Sequence, residues 1–226
     1  MHIGLIGGIG VAATVAYYQK LAAAMAARGK PLDLTIVQAE TSTLIANNTN
    51  DRREEQARVF APLIDRLRAA GAECAAITSL GGHFCFAETK ALSSLPLISA
   101  VEPLDDYFAS QGLGTVGLLG TRVVMRTKLY GQLARTRAVA LEDEVDLLGQ
   151  SYLDMAVAGR CTQAQRALFL DAGRRLIEDR GADAVVLAGT DLNLAFDEQA
   201  LGYPVIDALD VHVDVLAGLA AGERAL

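Results

Sequence analysis

The sequence predicts an α/β fold of two similar lobes, each with a mainly parallel sheet, related by pseudo-two-fold symmetry with a ligand cleft between them. Three observations carry this expectation. Short apolar runs alternate with helix-patterned segments along the whole chain, as strands and crossover helices do in parallel sheets. Two strings recur at nearly equal spacing: GLIGG from Gly4 returns as GLLGT from Gly117, 113 residues on, and GAECAAITSLGGH from Gly71 returns as GADAVVLAGTDL from Gly181, 110 residues on. Hydrophobic residues make up 52% of the 226, yet aromatics are only 5% and tryptophan is absent. A core of small aliphatic side chains suits strands covered on both faces by helices.

The elements follow in order. HIGLIG (2–7) reads as the first strand, followed by a helix from about Val11 to Arg28. LDLTIVQAE (32–40) is the second strand. NNTNDRREE (47–55) reads as a polar loop opening a helix that Asn50 or Asp51 can cap, with Leu63, Leu67 and Ala70 at helical spacing. AECAAIT (72–78) is the third strand and LPLIS (95–99) a short fourth. The pattern restarts at GLLGT. YPVIDALDVHVD (203–214) supplies a last strand, a proline-led turn and a C-terminal helix on which His212 is expected to face solvent. Parallel sheets present loops and helix N-termini at the carboxyl ends of their strands, so two such edges facing each other can approach one substrate from opposite sides.

Composition narrows the partners. A formal net charge of -7 argues against a nucleic-acid backbone. The opening run MHIGLIGG is too short for a membrane span and lacks a basic flank, and later apolar runs are broken by charges or glycine. A cytoplasmic protein with no membrane partner is expected. Cys74, Cys85 and Cys161 have no metal-type spacing and imply no disulfide framework. Cys74 reads as core, Cys161 as an incidental thiol in a polar stretch.

Four segments carry candidate chemistry. GLIGGIGVAAT (4–14) lets main-chain amides approach an anion at a helix N-terminus, or simply makes a tight turn. Its Gly8-Ile-Gly10-Val-Ala-Ala13 resembles a dinucleotide fingerprint, but the only acidic candidate downstream is Glu40, about thirty residues on. In the polar loop, Arg52 or Arg53 can pair with a carboxylate through guanidinium geometry, or can belong to a solvated helix terminus. TSLGGHFCF (78–86) groups Ser79, His83 and Cys85 where a strand gives way to a loop, without a GxSxG elbow. A structural hydroxyl, a capping imidazole and a buried thiol would equally explain them. AGTDLN (188–193) holds the matching place in the second half, where Thr190 and Asp191 also suit a helix N-cap.

Together these residues resemble the aspartate/glutamate racemase family, the cofactor-independent amino-acid racemases and their relatives. The resemblance spans nearly the whole chain: GLIGGIGVAATVAYY, the NNTNDR loop, GLLGTRVVM (117–125), GADAVVLAGTDL and YPVIDALDVH. It implies a first lobe of residues 1–101 plus 208–226 and a second of 102–207. It also implies no cofactor and no metal, a small carboxylate or acidic amino-acid ligand, and a homodimer.

In that family two cysteines flank the substrate's α-carbon, one thiolate removing the α-proton while the opposite thiol supplies another. The family's CNT-x-H segment becomes Ser79-Leu80-Gly81-Gly82-His83 here, and its GCTE segment becomes Ala188-Gly189-Thr190-Asp191. Both cysteine positions are changed. A thiol with a pKa near ~8.5 can be tuned to a thiolate, whereas a serine hydroxyl is hardly ionised near neutral pH and glycine supplies no group. Two-thiol racemisation is therefore not expected.

The resemblance further implies Arg52 against a distal substrate carboxylate, and Gly8, Leu80, Gly81, Thr121, Gly189 and Thr190 as substrate-binding positions. Ser79, Asp191 and His83 become the candidates for proton transfer. Ser79 and Gly189 are expected across one pocket, with room at Gly189 for a water or a larger substituent. Three functions stay open: a divergent isomerase or racemase, a lyase or decarboxylase of a small diacid in which one acid suffices, and a catalytically silent protein that binds acidic metabolites.

Overall fold

The computed structural model describes residues 1–196 and 201–226. The chain forms two compact units, Met1–Ala100 with Asp210–Leu226, and Val101–Leu209. Unit 1 contains β1 (Ile3–Gly7), α1 (Val11–Ala27), β2 (Leu34–Gln38), α2 (Thr41–Thr49), α3 (Arg53–Ala69), β3 (Cys74–Ile77), α4 (Phe86–Leu92) and β4 (Leu97–Ile98). Unit 2 contains α5 (Glu102–Ser110), β5 (Thr115–Gly120), α6 (Arg122–Thr127), β6 (Arg137–Val139), α7 (Val145–Ala158), α8 (Gln163–Glu178), β7 (Ala184–Ala188) and β8 (Val205–Asp207). The last helix, α9 (Ala208–Ala220), carries the chain back into unit 1.

The two sheets have the same plan. Their orders are β2-β1-β3-β4 and β6-β5-β7-β8, and every pairing among the described residues is parallel. The repeated strings of the sequence thus hold the two central strands of each sheet, β1 and β3 in unit 1 and β5 and β7 in unit 2. Their glycines have a shared packing reason. A Cβ on Gly4 would lie 2.9 Å from Leu67 Cδ1 of α3, and one on Gly117 would lie 2.8 Å from Leu176 Cβ of α8. In each unit a helix presses its leucine onto the bare backbone of the central strand, an approach any larger side chain would block. Around these contacts the core is aliphatic: Ile3, Leu5, Ile6, Leu21 and Ile64 in unit 1, and Leu118, Leu119, Val185, Val186 and Leu176 in unit 2, are fully buried.

Three local outcomes differ from the sequence reading. The segment read as a polar loop is partly helical, since Asn47, Asn48 and Thr49 end α2. The Glu40 carboxylate starts that helix by accepting from Ser42 N at 2.9 Å and Thr43 N at 2.6 Å. Hydrogen bonds from Thr43 and Ser42 hold its carboxyl down at about 2. The following helix is not capped by Asn50 or Asp51: its N-cap is Arg52, with no side-chain cap, and Asp51 sits at φ 50° to turn the chain between the two helices. Finally, His212 does not face solvent. It is fully buried, and its Nδ1 meets the Tyr17 hydroxyl at 2.7 Å, which with the Lys20–Asp210 ion pair ties α9 to α1.

Unit 2 adds a strand that sequence pattern did not reveal. β6 is three residues long, and the turn before it is fixed by Asp105, whose carboxylate accepts from the main-chain N–H groups of Ala134 (3.0 Å), Arg135 (3.1 Å) and Thr136 (3.1 Å). The polar stretch around Cys161 starts α8, where Thr162 and Gln165 form a capping box. Among the described residues no helix is long and apolar enough to cross a membrane.

Candidate functional site

Both third strands end in one backbone conformation. Ser79 after β3 has φ -135° and ψ 120°, and Gly189 after β7 has φ -134° and ψ 115°. Each opens a short 3-10 turn, Leu80–Cys85 in unit 1 and Thr190–Leu194 in unit 2. Strand register sets what lies beside each turn. Ile6 pairs with Ile77 and Gly120 with Ala188, so the residues after β1 meet Ser79 and those after β5 meet Gly189.

In unit 1, Gly8 lies directly against Ser79, for a Cβ there would come within 2.5 Å of Ser79 Cβ. Ser79 Oγ accepts from Gly82 N at 3.3 Å and so caps its own turn. Two residues that sequence reasoning had not singled out complete the rim. Gln38 Nε2 donates to the Gly8 and Ala39 carbonyls, both at 3.0 Å, and Asn48 Nδ2 donates to the Gly81 carbonyl at 2.8 Å. Asn48 was visible only as part of a polar run. What selects it is the helical turn that aims its amide at the glycines. Leu80 and Gly81 are buried beneath this rim.

His83 stands behind Ser79. Its Nδ1–H donates to the Ser79 carbonyl at 2.8 Å, and its Nε2 accepts from Ala100 N at 3.0 Å, so both ring nitrogens are engaged. The ring stacks on Phe86 and meets His212 edge-on. Burial lowers its pKa to about 4, and burial followed by the neighbouring His83 lowers that of His212 to about 3. Cys85 is fully buried, with burial pushing its thiol up to about 11. Arg52 lies apart from this cluster in character: its side chain is 56% exposed and pairs with Glu55 at 3.5 Å.

Unit 2 builds its turn differently. Thr121 caps α6, its Oγ1 accepting from Val124 N at 3.4 Å. Thr190 and Asp191 are buried inside the 3-10 turn, and neither caps it, Gly189 being the N-cap. The expected room at Gly189 is absent. A Cβ there would lie 2.4 Å from Tyr152 Cε2 and 2.8 Å from its Cζ, so the ring of an α7 tyrosine fills the space. The Tyr152 hydroxyl donates to Asp191 Oδ2 at 3.1 Å. Nothing local in the sequence marked Tyr152, which lies 37 residues before Gly189.

A pair of parallel α/β units with matched strand-end turns is the class this geometry defines. Residues 6–216 match the family described as Asp/Glu/Hydantoin racemase, and the chain belongs to that family. Among solved structures, it is similar to a Yersinia pestis protein assigned as an Asp/Glu racemase (21% identity, 97% of this chain and 99% of that one, TM-score 0.81). It is also similar to an aspartate racemase homologue from Pyrococcus horikoshii (21%, 97% and 98%, TM-score 0.76) and to Picrophilus torridus aspartate racemase (19%, 100% and 96%, TM-score 0.74). These likenesses speak to the fold.

Proposed function

We propose that this protein performs cofactor-independent chemistry at the α-carbon of a small acidic amino acid or related carboxylate, as a racemase-like isomerase working without two thiols. Family membership supports the reaction class. The observation that carries the site assignment is the matched backbone at Ser79 and Gly189, one with a hydroxyl and one with no side chain. In this reading Ser79 and Asp191 are the polar groups at the reacting carbon. Gly8, Leu80 and Gly81 in unit 1, and Thr121, Gly189 and Thr190 in unit 2, bind the substrate. Arg52, exposed and paired only loosely with Glu55, exchanges that contact for a distal carboxylate. His83, with both nitrogens engaged, holds the Ser79 turn in place and does not itself move the proton.

Thiol chemistry has little support. Burial pushes Cys74 and Cys85 up to about 11, which disfavours the thiolate, and Cys161 donates to the Thr162 carbonyl beside the start of α8. The test is incubation with L- and D-aspartate, L- and D-glutamate and related diacids in deuterated water, following the α-proton. Exchange with inversion supports the proposal; release of carbon dioxide would make the protein a lyase, and binding without turnover a silent receptor. Alkylating the cysteines is expected to leave turnover intact. The same proposal takes the protein as a cytoplasmic homodimer, and exposed Val11, Val15 and Tyr18 on one face of α1 give sedimentation velocity a surface to test.

A further inference from the structure

We propose that Asn48 is the positioning residue of Ser79: through the Gly81–Gly82 peptide it keeps a main-chain N–H on the Ser79 hydroxyl. The inference rests on the place of Ser79 in the function proposed above, and it adds the residue that prepares that hydroxyl.

The connection runs through one peptide group. Asn48 Nδ2 donates to the Gly81 carbonyl at 2.8 Å. The N–H at the other end of the same peptide, that of Gly82, donates to Ser79 Oγ at 3.3 Å and to the Ser79 carbonyl at 3.0 Å. A carbonyl only accepts, so the amide nitrogen of Asn48 is the atom that must face Gly81. Because the peptide is planar, a bond that fixes its C=O also fixes the direction of its N–H. This peptide needs fixing more than its neighbours. It lies between two glycines, and with no Cβ on either side it can turn over at little steric cost. Glycine at 82 is itself required by packing, since a Cβ there would lie 2.9 Å from Ile77 Cγ2. Turned over, the peptide would present its carbonyl to Ser79 in place of its N–H.

The fold holds Asn48 to this task. It is the penultimate residue of α2, and the residue before it docks the helix end. Asn47 Nδ2 donates to Gln56 Oε1 of α3 at 2.9 Å, and the Asn47 carbonyl accepts from Arg52 N at 2.9 Å. Asn47 and Gln56 are buried, which shields their bond from water, while Asn48 is half-buried at the rim. Ser79 is thus held by two arms with separate duties. His83 bonds its carbonyl at 2.8 Å and fixes the main chain, whereas Asn48 governs what faces the hydroxyl. The second duty is chemical. Negative charge grows on Oγ whenever the hydroxyl gives up its proton. The Gly82 N–H is placed to meet that charge, and a carbonyl in its stead would oppose it.

The experiment joins NMR of the Gly82 amide to kinetics. Asn48→Ala removes the side-chain amide from a helix that tolerates alanine. Asn48→Asp keeps the shape and removes only the donor, and it carries the same expectations should the alanine variant fail to fold. Either folded variant is expected to shift the Gly82 amide resonance and to speed its exchange in deuterated water at least tenfold. With the enantiomers of aspartate and glutamate and related diacids, each is expected to lower kcat about tenfold, the worth of one hydrogen bond, with KM little changed. Combined with Ser79→Ala, it should cost no more than Ser79→Ala alone, because Asn48 acts through that hydroxyl. A residue that only supports the fold would instead multiply the two losses to about a hundredfold. Multiplied losses, a wild-type kcat, or an unmoved Gly82 amide in a folded variant overturns the inference and leaves the proposed function standing. If wild type turns over none of these compounds, the proposed function fails, and the Gly82 amide alone then supports or overturns the hold of Asn48 on the turn.

Discussion

The turn after β3 and the turn after β7 share their dihedral angles and differ in what is set against them. Ser79 brings its own hydroxyl and is braced from behind by an imidazole bonded to main chain, while Gly189 brings nothing and is filled by a phenol from α7. Duplicated strands reproduce backbone positions, because the glycine–leucine contacts at Gly4 and Gly117 fix how the helices sit on each sheet. They do not reproduce the source of the side chain that occupies each turn. At Ser79 that side chain is local to the turn; at Gly189 it arrives from a helix 37 residues upstream.

The comparison can be broken most forcefully at the ring. Tyr152→Ala removes a fully buried aromatic and is expected to cost about 3–5 kcal/mol in urea denaturation. A loss under about 1 kcal/mol would mean that the ring does not fill the Gly189 space. Next is the pair of cysteine replacements. Gly189→Cys forces a Cβ within 2.4 Å of the ring and should destabilise by about 1–3 kcal/mol, whereas Ser79→Cys is isosteric and should cost less than about 1 kcal/mol. Equal costs would erase the asymmetry. Ser79→Ala should reduce turnover at least tenfold, about 1.4 kcal/mol of barrier.

Acid sharpens the contrast further. All three histidines (His2, His83 and His212) belong to unit 1. His83 and His212 are held neutral when folded, at about 4 and about 3, against an ordinary 6.5 in the unfolded chain. Because the unfolded chain binds these protons first, their contribution is complete above pH 6.5. It is lost at about 1.4 kcal/mol per pH unit per site as pH falls toward the folded values. In unit 2, burial pushes the Asp105 carboxyl up, but N–H bonds from Ala134, Arg135 and Thr136 hold it below its ordinary 3.8, so its support is lost only beneath that value. Hydrogen exchange at pH 5 against pH 7 should therefore show unit 1 loosening and unit 2 unchanged; the reverse order would reject this account. The smallest effect is Arg52→Ala, expected within about 0.5 kcal/mol of wild type in stability because the pair is exposed. In calorimetry the same variant should lose about 1.5–3 kcal/mol of acidic-ligand binding.

What was legible in the sequence was local and periodic. The strands β1, β3, β5 and β7 announced themselves as apolar runs followed by glycine, and the recurrence of their strings predicted two similar units. Helix α2 was hidden because its cap is Glu40, a residue that also fits the end of a strand. β6 escaped because three residues carry too little alternation, and its turn is held by a carboxylate about thirty residues away. His212 was misplaced because its partner, Tyr17, is 195 residues distant. Tyr152 was missed for the same physical reason: a glycine tells where a side chain is absent, and only tertiary packing tells what has moved in.

The return of α9 to the first unit also governs the order in which a growing chain can mature. Residues 101–209 are contiguous, so the second unit has all its strands once its own segment has been made. The first unit must wait for Asp210–Leu226, and until then Tyr17 lacks His212, Lys20 lacks Asp210, and the Met1 amino group lacks the Ala220 carbonyl it meets at 3.2 Å. On a ribosome the half synthesised first would thus be finished last. A chain stopped at Leu209 is expected to resist proteolysis in its later half while its earlier half is cleaved.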